Sequence, residues 1–452
     1  MILKLQKNET RNSSLTHFTL HTPLFALLVF TLLTLTTPSI SPAAISGGSA
    51  NVGKILIPMD VSQTDHLKAY GIAYWALQQG HPVEWLLNYR GGSFLIDNHE
   101  TIAREARIRA VSFQAISAAQ ATRIYADIES GNMNRMRLEK APRIAVYTPP
   151  HKQPWDDAVT LALTYAEIPY TTLWDEEVLT GKLENYDWLH LHHEDFTGQY
   201  GKFYRSHGHT LWYRQQQAAF KTLAHKLGFA KVSHLKGAVA QAIYNYVAQG
   251  GFLFAMCSAT DTFDIALAAR GIDIVDSVYD GDPADPMARQ KLDFSRTIAF
   301  ENFNPVMDPL EYEHADIDLS PIEMSQVKNA DIDAFSLFEF SAKYDPVPTM
   351  LTQNHTPIVP GFLGQTTAFR KNRIKKSVTI MGDIPGTDHV KYIHGNIGKG
   401  TFTFYAGHDP EDYQHFVNDP PTQLALHKNS PGYRLILNNI LFPAAKKEKR
   451  KT

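Results

Sequence analysis

The stretch GGFLFAMCSATDTFD, residues 250–264, decides how we expect this chain to fold. Two glycines end a preceding helix, five apolar residues predict a buried strand over 252–256, and a helix begins at Ser258. Between strand and helix stands Cys257, the single cysteine in 452 residues. A thiol at such a turn faces the first N–H groups of the helix, which favour its thiolate form. The pattern is that of a nucleophile elbow, and the alternative is a small buried hydrophobe at a strand end.

The first 46 residues have the pattern of a secretory signal. Lys4, Lys7 and Arg11 precede an apolar run of 12 residues over 24–35, and the small residues at 44 and 46 fit a cleavage site. A membrane-spanning helix needs about 20 apolar residues. We therefore predict that residues 1–46 are removed and that the protein is exported to the periplasm or secreted without a stable membrane span. An uncleaved anchor is the alternative. A lone cysteine in an exported chain is either inert and buried or kept for its reactivity.

Composition and patterning indicate a globular α/β protein. Hydrophobic residues make up 44% of the chain and charged residues 20%, and the formal net charge of −3 offers no basic surface to nucleic acid. Strand and helix patterns alternate over 54–87 and resume from 143 onward. Such alternation favours parallel pairing, with helices on both faces of the sheet.

We predict an N-terminal α/β extension over 54–135 and a core over 143–275 and 345–445. An insertion over 276–344, rich in Asp, Pro and Phe, is expected to have little regular structure. Ligands of parallel sheets bind at the carboxyl ends of strands. Three polar groups of residues fall at such ends, namely Cys257, residues 190–195 and residues 408–411.

A base for the cysteine follows the predicted strand 400–405. His408 stands there with Asp409 and Glu411. A cysteine nucleophile needs a base, usually histidine, which a carboxylate often orients. We therefore predict Cys257 as nucleophile, His408 as base, and Asp409 or Glu411 as the orienting carboxylate. The alternative is a polar turn in which His408 and Asp409 cap the chain.

These two motifs resemble the class I glutamine amidotransferase-like superfamily, in which an elbow cysteine follows one strand and a histidine–proline–glutamate motif a later one. Cys257 matches the nucleophile, and His408 and Glu411 match the second motif with Asp409 as an extra residue. The closing pattern, GHDPE and then PGYR, is most similar to the trehalose-utilisation branch, whose members often lack the catalytic thiol. The resemblance covers about 143–441 without the insertion. It implies a flavodoxin-like fold with a mostly parallel sheet.

The chain also departs from the family pattern. The elbow cysteine usually has glycine two residues away on each side, where this chain has Ala255 and Ala259. The stretches KILIPMD and DHLKAYGIAYWAL resemble exported bacterial chains labelled asparagine synthetase B. That synthetase needs a cysteine at its mature N-terminus and an SGGxDS loop, whereas this chain has Ile2 and reads SGGSAN over 46–51. The label therefore does not describe the chemistry.

Residues 190–195, HLHHED, carry imidazoles and carboxylates at a strand end, a combination compatible with zinc or another divalent metal. Their spacing is not that of a standard site, because two of the histidines share one strand face and the third takes the other. We predict a polar pocket rim without bound metal or other cofactor. The residues expected to contact substrate are His193, Glu194, Ser258 and Thr260.

Two functions stay open at this point. The first is a cysteine-dependent amide hydrolase, with a backbone N–H pair near Ser258 stabilising the oxyanion. Hydrolysis is favoured over amide transfer because an exported protein lacks a cytosolic acceptor for ammonia. The alternative is a non-catalytic amidotransferase-like domain that binds a glycan or an envelope partner. The aromatic stretch 200–213, YGKFYRSHGHTLWY, is either a stacking surface for a sugar ring or a packed loop. The oligomeric state stays undetermined.

Overall fold

The computed structural model describes residues 53–151, 153–327, 333–414 and 416–445. The predicted signal segment 1–46 lies outside the described residues. The strands are β1 (Lys54–Ile57), β2 (Val83–Leu87), β3 (Ser93–Asp97), β4 (Gln114–Ile116), β5 (Asn134–Leu138), β6 (Ile144–Tyr147), β7 (Thr171–Leu173), β8 (Trp188–Leu191), β9 (Phe252–Met256), β10 (Ala334–Leu337), β11 (Ile358–Pro360), β12 (Phe369–Arg370), β13 (Thr379–Asp383), β14 (His389–Ile397) and β15 (Gly400–Tyr405).

Helices connect these strands and cover the sheets. They are α1 (His66–Gln78), α2 (Glu100–Ile108), α3 (Ala118–Ser130), α4 (Ala158–Tyr165), α5 (Asp175–Leu179), α6 (Tyr204–His207), α7 (Leu211–Lys226), α8 (Val232–Gln249), α9 (Ala259–Ala268), α10 (Ser277–Asp280), α11 (Ala288–Lys291), α12 (Pro321–Gln326), α13 (Pro346–Thr352) and α14 (Pro431–Leu441). Among the described helices, none combines the length and the apolar character needed to cross a bilayer.

The N-terminal sheet has the strand order β4-β1-β3-β2-β5, and each neighbouring pair is antiparallel. The expectation that β1 and β2 pair in parallel is wrong, because β3 lies between them. The chain reverses directly after β2 through Asn88, Arg90, Gly91 and Gly92, whose φ angles are all positive. This tight reversal lets β3 pair with β2 as a hairpin before the chain reaches the next helix.

The main sheet is mixed, with the order β11-β10-β13-β14-β15-β9-β8-β6-β7. Strands β7, β6, β8, β9 and β15 pair in parallel, as the alternating sequence pattern predicted. From β15 onward the pairs are antiparallel, because β14 and β15 form a hairpin that turns at Gly398. The protein is therefore a mixed α/β protein, and the prediction of a mostly parallel sheet applies to one half of this sheet.

The predicted insertion, 276–344, contains more regular structure than its composition indicated. Helices α10, α11 and α12 lie within it, and its strand β10 joins the main sheet between β11 and β13. The first half of this insertion is held by the buried carboxylate of Asp264 in α9. That carboxylate accepts hydrogen bonds from the backbone N–H groups of residues 298, 299 and 300, each at 2.8 Å. A four-residue strand gives too weak a periodic signal to be recognised from sequence alone.

The two sheets share one hydrophobic core, which includes Ile57 and Trp85 from the N-terminal sheet and Trp188 from the main sheet. Buried Arg434 of α14 connects them further. Its Nη1 donates to the carbonyl oxygen of Met59 at 2.6 Å. The described residues of the predicted extension and core thus lie in one compact unit.

Candidate functional site

Strands β8, β9 and β15 are parallel neighbours, so the turns that follow them meet at one edge of the main sheet. Leu191 lies opposite Ala255, and Met256 lies opposite Tyr405. The next residues along each strand lead into the turns that carry the predicted site residues. Cys257 and His408 therefore lie at the same edge, together with residues 192–195.

Three histidines converge at this edge, namely His192, His193 and His408. The ring of His408 lies 4.3 Å from that of His192 and 4.2 Å from that of His193, measured between centroids. The rings of His192 and His193 are 4.7 Å apart. Nitrogen atoms from all three lie within 4.8 Å of one another. His408 and His192 are buried, and His193 is partly exposed.

Asp157 is a site residue that the sequence interpretation missed. It caps α4, and its Oδ1 accepts the N–H groups of Val159 and Thr160 at 2.8 and 2.9 Å. The rings of His190 and His192 lie 3.2 and 3.3 Å from the same carboxylate. Burial opposes its ionisation, but these two rings hold the pKa of Asp157 well below its usual value. The available signal was an aspartate at the N-terminus of the helix that follows β6, another strand of the parallel set.

Glu194 and His193 line a cavity of about 30 Å³, together with Trp155. This volume has room for a water molecule. Burial and the nearby charge of Asp157 raise the pKa of Glu194 to about 7, against the opposing effect of the His192 N–H, which Oε2 accepts at 3.1 Å. Both residues were predicted to contact substrate, and the structure brings them together beside this cavity.

Part of the aromatic stretch 200–213 packs over this edge, and part of it faces solvent. Tyr200, Phe203 and Tyr213 are buried, and Phe203 stacks on Trp155 at 5.4 Å between ring centroids. The ring of Trp155 lies 5.1 Å from that of His193. Of the two interpretations of this stretch, the packed loop describes these three side chains.

Cys257 has the backbone geometry of an elbow but not the exposure of a nucleophile. Its φ angle is +52°, a left-handed conformation that costs a residue other than glycine roughly 1–2 kcal/mol. The side chain has no exposed surface, and Sγ accepts the N–H of Gln365 at 3.2 Å. Burial raises the pKa of the thiol to about 12. The predicted thiolate is therefore not the form present at neutral pH, because burial outweighs the adjacent N–H groups.

The two carboxylates predicted to orient His408 have partners of their own. Asp409 accepts a hydrogen bond from the hydroxyl of Tyr433 at 2.7 Å. Glu411 lies 2.8 Å from Nδ1 of His427. Each carboxylate is thus engaged by a side chain other than His408.

Ser258 and Thr260 are fully buried and stabilise the turns of the site. The hydroxyl of Ser258 donates to the carbonyl oxygen of His193 at 3.2 Å, and that of Thr260 donates to the carbonyl oxygen of Cys257 at 2.7 Å. We expected these hydroxyls to contact substrate, which stays a prediction. In the structure Ser258 connects its turn to the one after β8, and Thr260 stabilises its own turn.

Comparisons with known proteins leave the family open. No family model and no curated protein matches the chain. The chain is 10% identical to Cytoplasmic Protein STM3548 from Salmonella typhimurium, with a TM-score of 0.32 over 68% of this chain and 100% of that one. It is 13% identical to Cytoplasmic Protein STM1381 from Salmonella typhimurium LT2, with a TM-score of 0.32 over 67% of this chain and 99% of that one. It is also 13% identical to Gan42B, a GH42 beta-galactosidase from G. stearothermophilus, with a TM-score of 0.25 over 60% of this chain and 28% of that one. Such values assign neither a family nor a function.

Proposed function

We propose that this chain is an exported hydrolase on a glutamine amidotransferase-like scaffold, acting on a small amide or related acyl compound. One observation carries the proposal, namely the convergence of His192, His193 and His408 at the carboxyl edge of the parallel strands. Ligands of such sheets bind at this edge. The motif resemblance around Cys257 and His408 supports the choice of scaffold.

The chemistry of this hydrolase resides on the histidines and Glu194, and the thiol of Cys257 takes no part. The cavity beside Glu194 and His193 has room for the attacking water. The water oxygen bonds to the acyl carbon as Glu194 accepts a water proton. The C–N bond then breaks, and the same proton passes to the leaving nitrogen, which departs as ammonia or an amine.

Hydrolysis of a panel of small amides, including glutamine and asparagine, tests the proposal through release of ammonia or amine by the purified protein. Glu194→Gln should lower the rate by 10²-fold or more, the usual effect of removing a general base. Cys257→Ser should stay within about threefold of the wild type if a thiol nucleophile is not needed. His209→Gln, at an exposed histidine outside the cluster, is the matched control. Abolished activity in Cys257→Ser with full activity in Glu194→Gln would assign the chemistry to the thiol instead.

The burial of Cys257 also favours the second candidate, a non-catalytic domain that binds a glycan or an envelope partner. A wild-type protein that releases nothing from the amide panel but is retained on immobilised glycans would establish that alternative. Both functions presuppose export. Mass spectrometry of the envelope fraction should find a mature N-terminus near residue 47, and an intact Met1 would count against it.

A further inference from the structure

We propose, in place of the metal-free pocket rim predicted from the sequence, that His192, His193 and His408 bind one divalent transition-metal ion, with zinc as the preferred metal. The inference deepens the proposed function and rests on it for its role in catalysis, because a metal at this position would activate the water of the hydrolytic step. The metal site itself can be tested without any substrate.

The ligand set fits zinc in number and kind. Catalytic zinc sites use three protein ligands and leave a fourth position for water, and three imidazoles form such a set. Zn–N bonds of 2.0–2.1 Å require ligand nitrogens about 3.3 Å apart in a tetrahedron. The nitrogens here lie within 4.8 Å of one another, so metal binding requires them to approach by up to about 1.5 Å through rotation of the side chains.

Asp157 supplies the support that metal-binding histidines usually have. Its carboxylate lies 3.3 Å from Nδ1 of His192. Neither ring nitrogen of His192 has a hydrogen-bond partner among the described residues, so Nε2 can bind the metal while Nδ1 stays at this distance from Asp157. A carboxylate behind a metal-binding histidine fixes the tautomer and the ring orientation. Asp157 is therefore a positioning residue of the proposed site.

The backbone around the three ligands is already held in place. The carbonyl oxygen of His192 accepts the N–H of Ala259 at 2.9 Å, and the N–H of His408 donates to the carbonyl oxygen of Leu363 at 2.8 Å. Because both turns are fixed before a metal arrives, little conformational entropy is lost on binding.

The other groups of potential ligands in the described part of the chain are already engaged. In the group Asp157, His190 and His192, the carboxylate accepts two backbone N–H groups of α4, and Nδ1 of His190 lies 3.2 Å from the carbonyl oxygen of Phe254. The acidic group Asp273, Asp280 and Asp282 surrounds the ammonium of Lys231 at 2.6, 3.0 and 2.6 Å. The ammonium offsets one of the three negative charges and occupies the position that a cation would take, so this group serves as a control.

The experiment measures the metal content of the purified full-length protein by elemental analysis, then titrates the chelator-treated protein with Zn²⁺ and Co²⁺. We expect one ion per chain and a tetrahedral Co²⁺ absorption spectrum. His408→Gln and His193→Gln should weaken binding by at least 10²-fold. Asp157→Asn should weaken it by 10- to 100-fold, as is usual for a supporting carboxylate. Asp282→Asn should leave the affinity unchanged.

Each outcome decides the proposal. His408 is buried, so unfolding midpoints are measured for every variant, and partly exposed His193 provides the second test. Absence of stoichiometric metal and of a Co²⁺ spectrum, or equal affinity in the wild type and both histidine variants, would overturn the site. Metal binding without hydrolysis would support the site and reject the hydrolase. Hydrolysis by metal-free protein would reject the catalytic role of the metal and leave the hydrolase in place, and the site itself then depends on the binding measurements alone.

Discussion

Replacing Asp175 by Asn should strongly destabilise the fold, because it leaves a buried ammonium without its counter-charge. Lys236 Nζ lies 2.9 and 3.1 Å from the two carboxylate oxygens of Asp175 and 2.8 Å from the hydroxyl of Tyr147. Both charged side chains are about 99% buried, each with a relative exposure of 1%. The ammonium also lies 3.7 Å from the ring centroid of Trp174.

The expected loss follows from two estimates. Removing one partner of a buried ion pair costs about 3–5 kcal/mol. A lysine ammonium can avoid such a cost by losing its proton, which at pH 7 requires about 4.6 kcal/mol because the ordinary lysine pKa is about 10.4. The destabilisation of Asp175→Asn should therefore be about 3–4.6 kcal/mol at pH 7. At pH 9 the cost of removing the lysine proton falls to about 1.9 kcal/mol, and the destabilisation should not exceed that value.

Urea unfolding followed by tryptophan fluorescence measures these values at both pH values. The matched control is Glu176→Gln on the same helix, whose carboxylate pairs with exposed Lys226 at 2.6 Å and should contribute less than about 1 kcal/mol. Combining Asp175→Asn with Lys236→Met should recover most of the loss, since neither charge then remains. A loss below 1 kcal/mol, a loss independent of pH, or a double variant as unstable as the single one would refute the reasoning.

Three further predictions concern a buried histidine of β14 and two residues close to the site. Burial lowers the pKa of His394 to about 3, so the unfolded chain binds more protons than the folded one between pH 6.5 and 3. This histidine should therefore lower the free energy of unfolding by about 2 kcal/mol at pH 5 relative to pH 7. In His394→Gln, the urea midpoint should lose that part of its acid sensitivity. Cys257 should resist iodoacetamide in the native protein at pH 8 and react once the chain is unfolded in urea; rapid native labelling would contradict its burial. Gly364→Ala places a Cβ atom 2.8 Å from the backbone nitrogen of His408. The free energy of unfolding measured in urea should therefore fall by about 1–3 kcal/mol, and the affinity for Zn²⁺ should fall as well.

The local elements were largely predictable from the sequence because their signals lie within a few residues. The apolar run before Cys257 and the helix after it match β9 and α9, and the pattern at 400–405 matches β15. Parallel pairing then places the turns after these strands at one edge, so the neighbourhood of Cys257 and His408 followed from topology. The reversal into β3 depends on four positive φ angles, which a sequence with only two glycines at that turn does not indicate.

The sequence by itself therefore determined the strand–turn–helix around Cys257 and the alternation that builds the parallel half of the sheet. Only the tertiary structure decided which polar residues form one site. His408 is more than 200 residues from His192 in sequence, and their contact exists because β15 and β8 flank β9. It also decided the state of the thiol, since burial depends on what covers a residue. Here the loop at Gln365 closes over Cys257, and loss of hydration outweighs the local geometry that favours a thiolate.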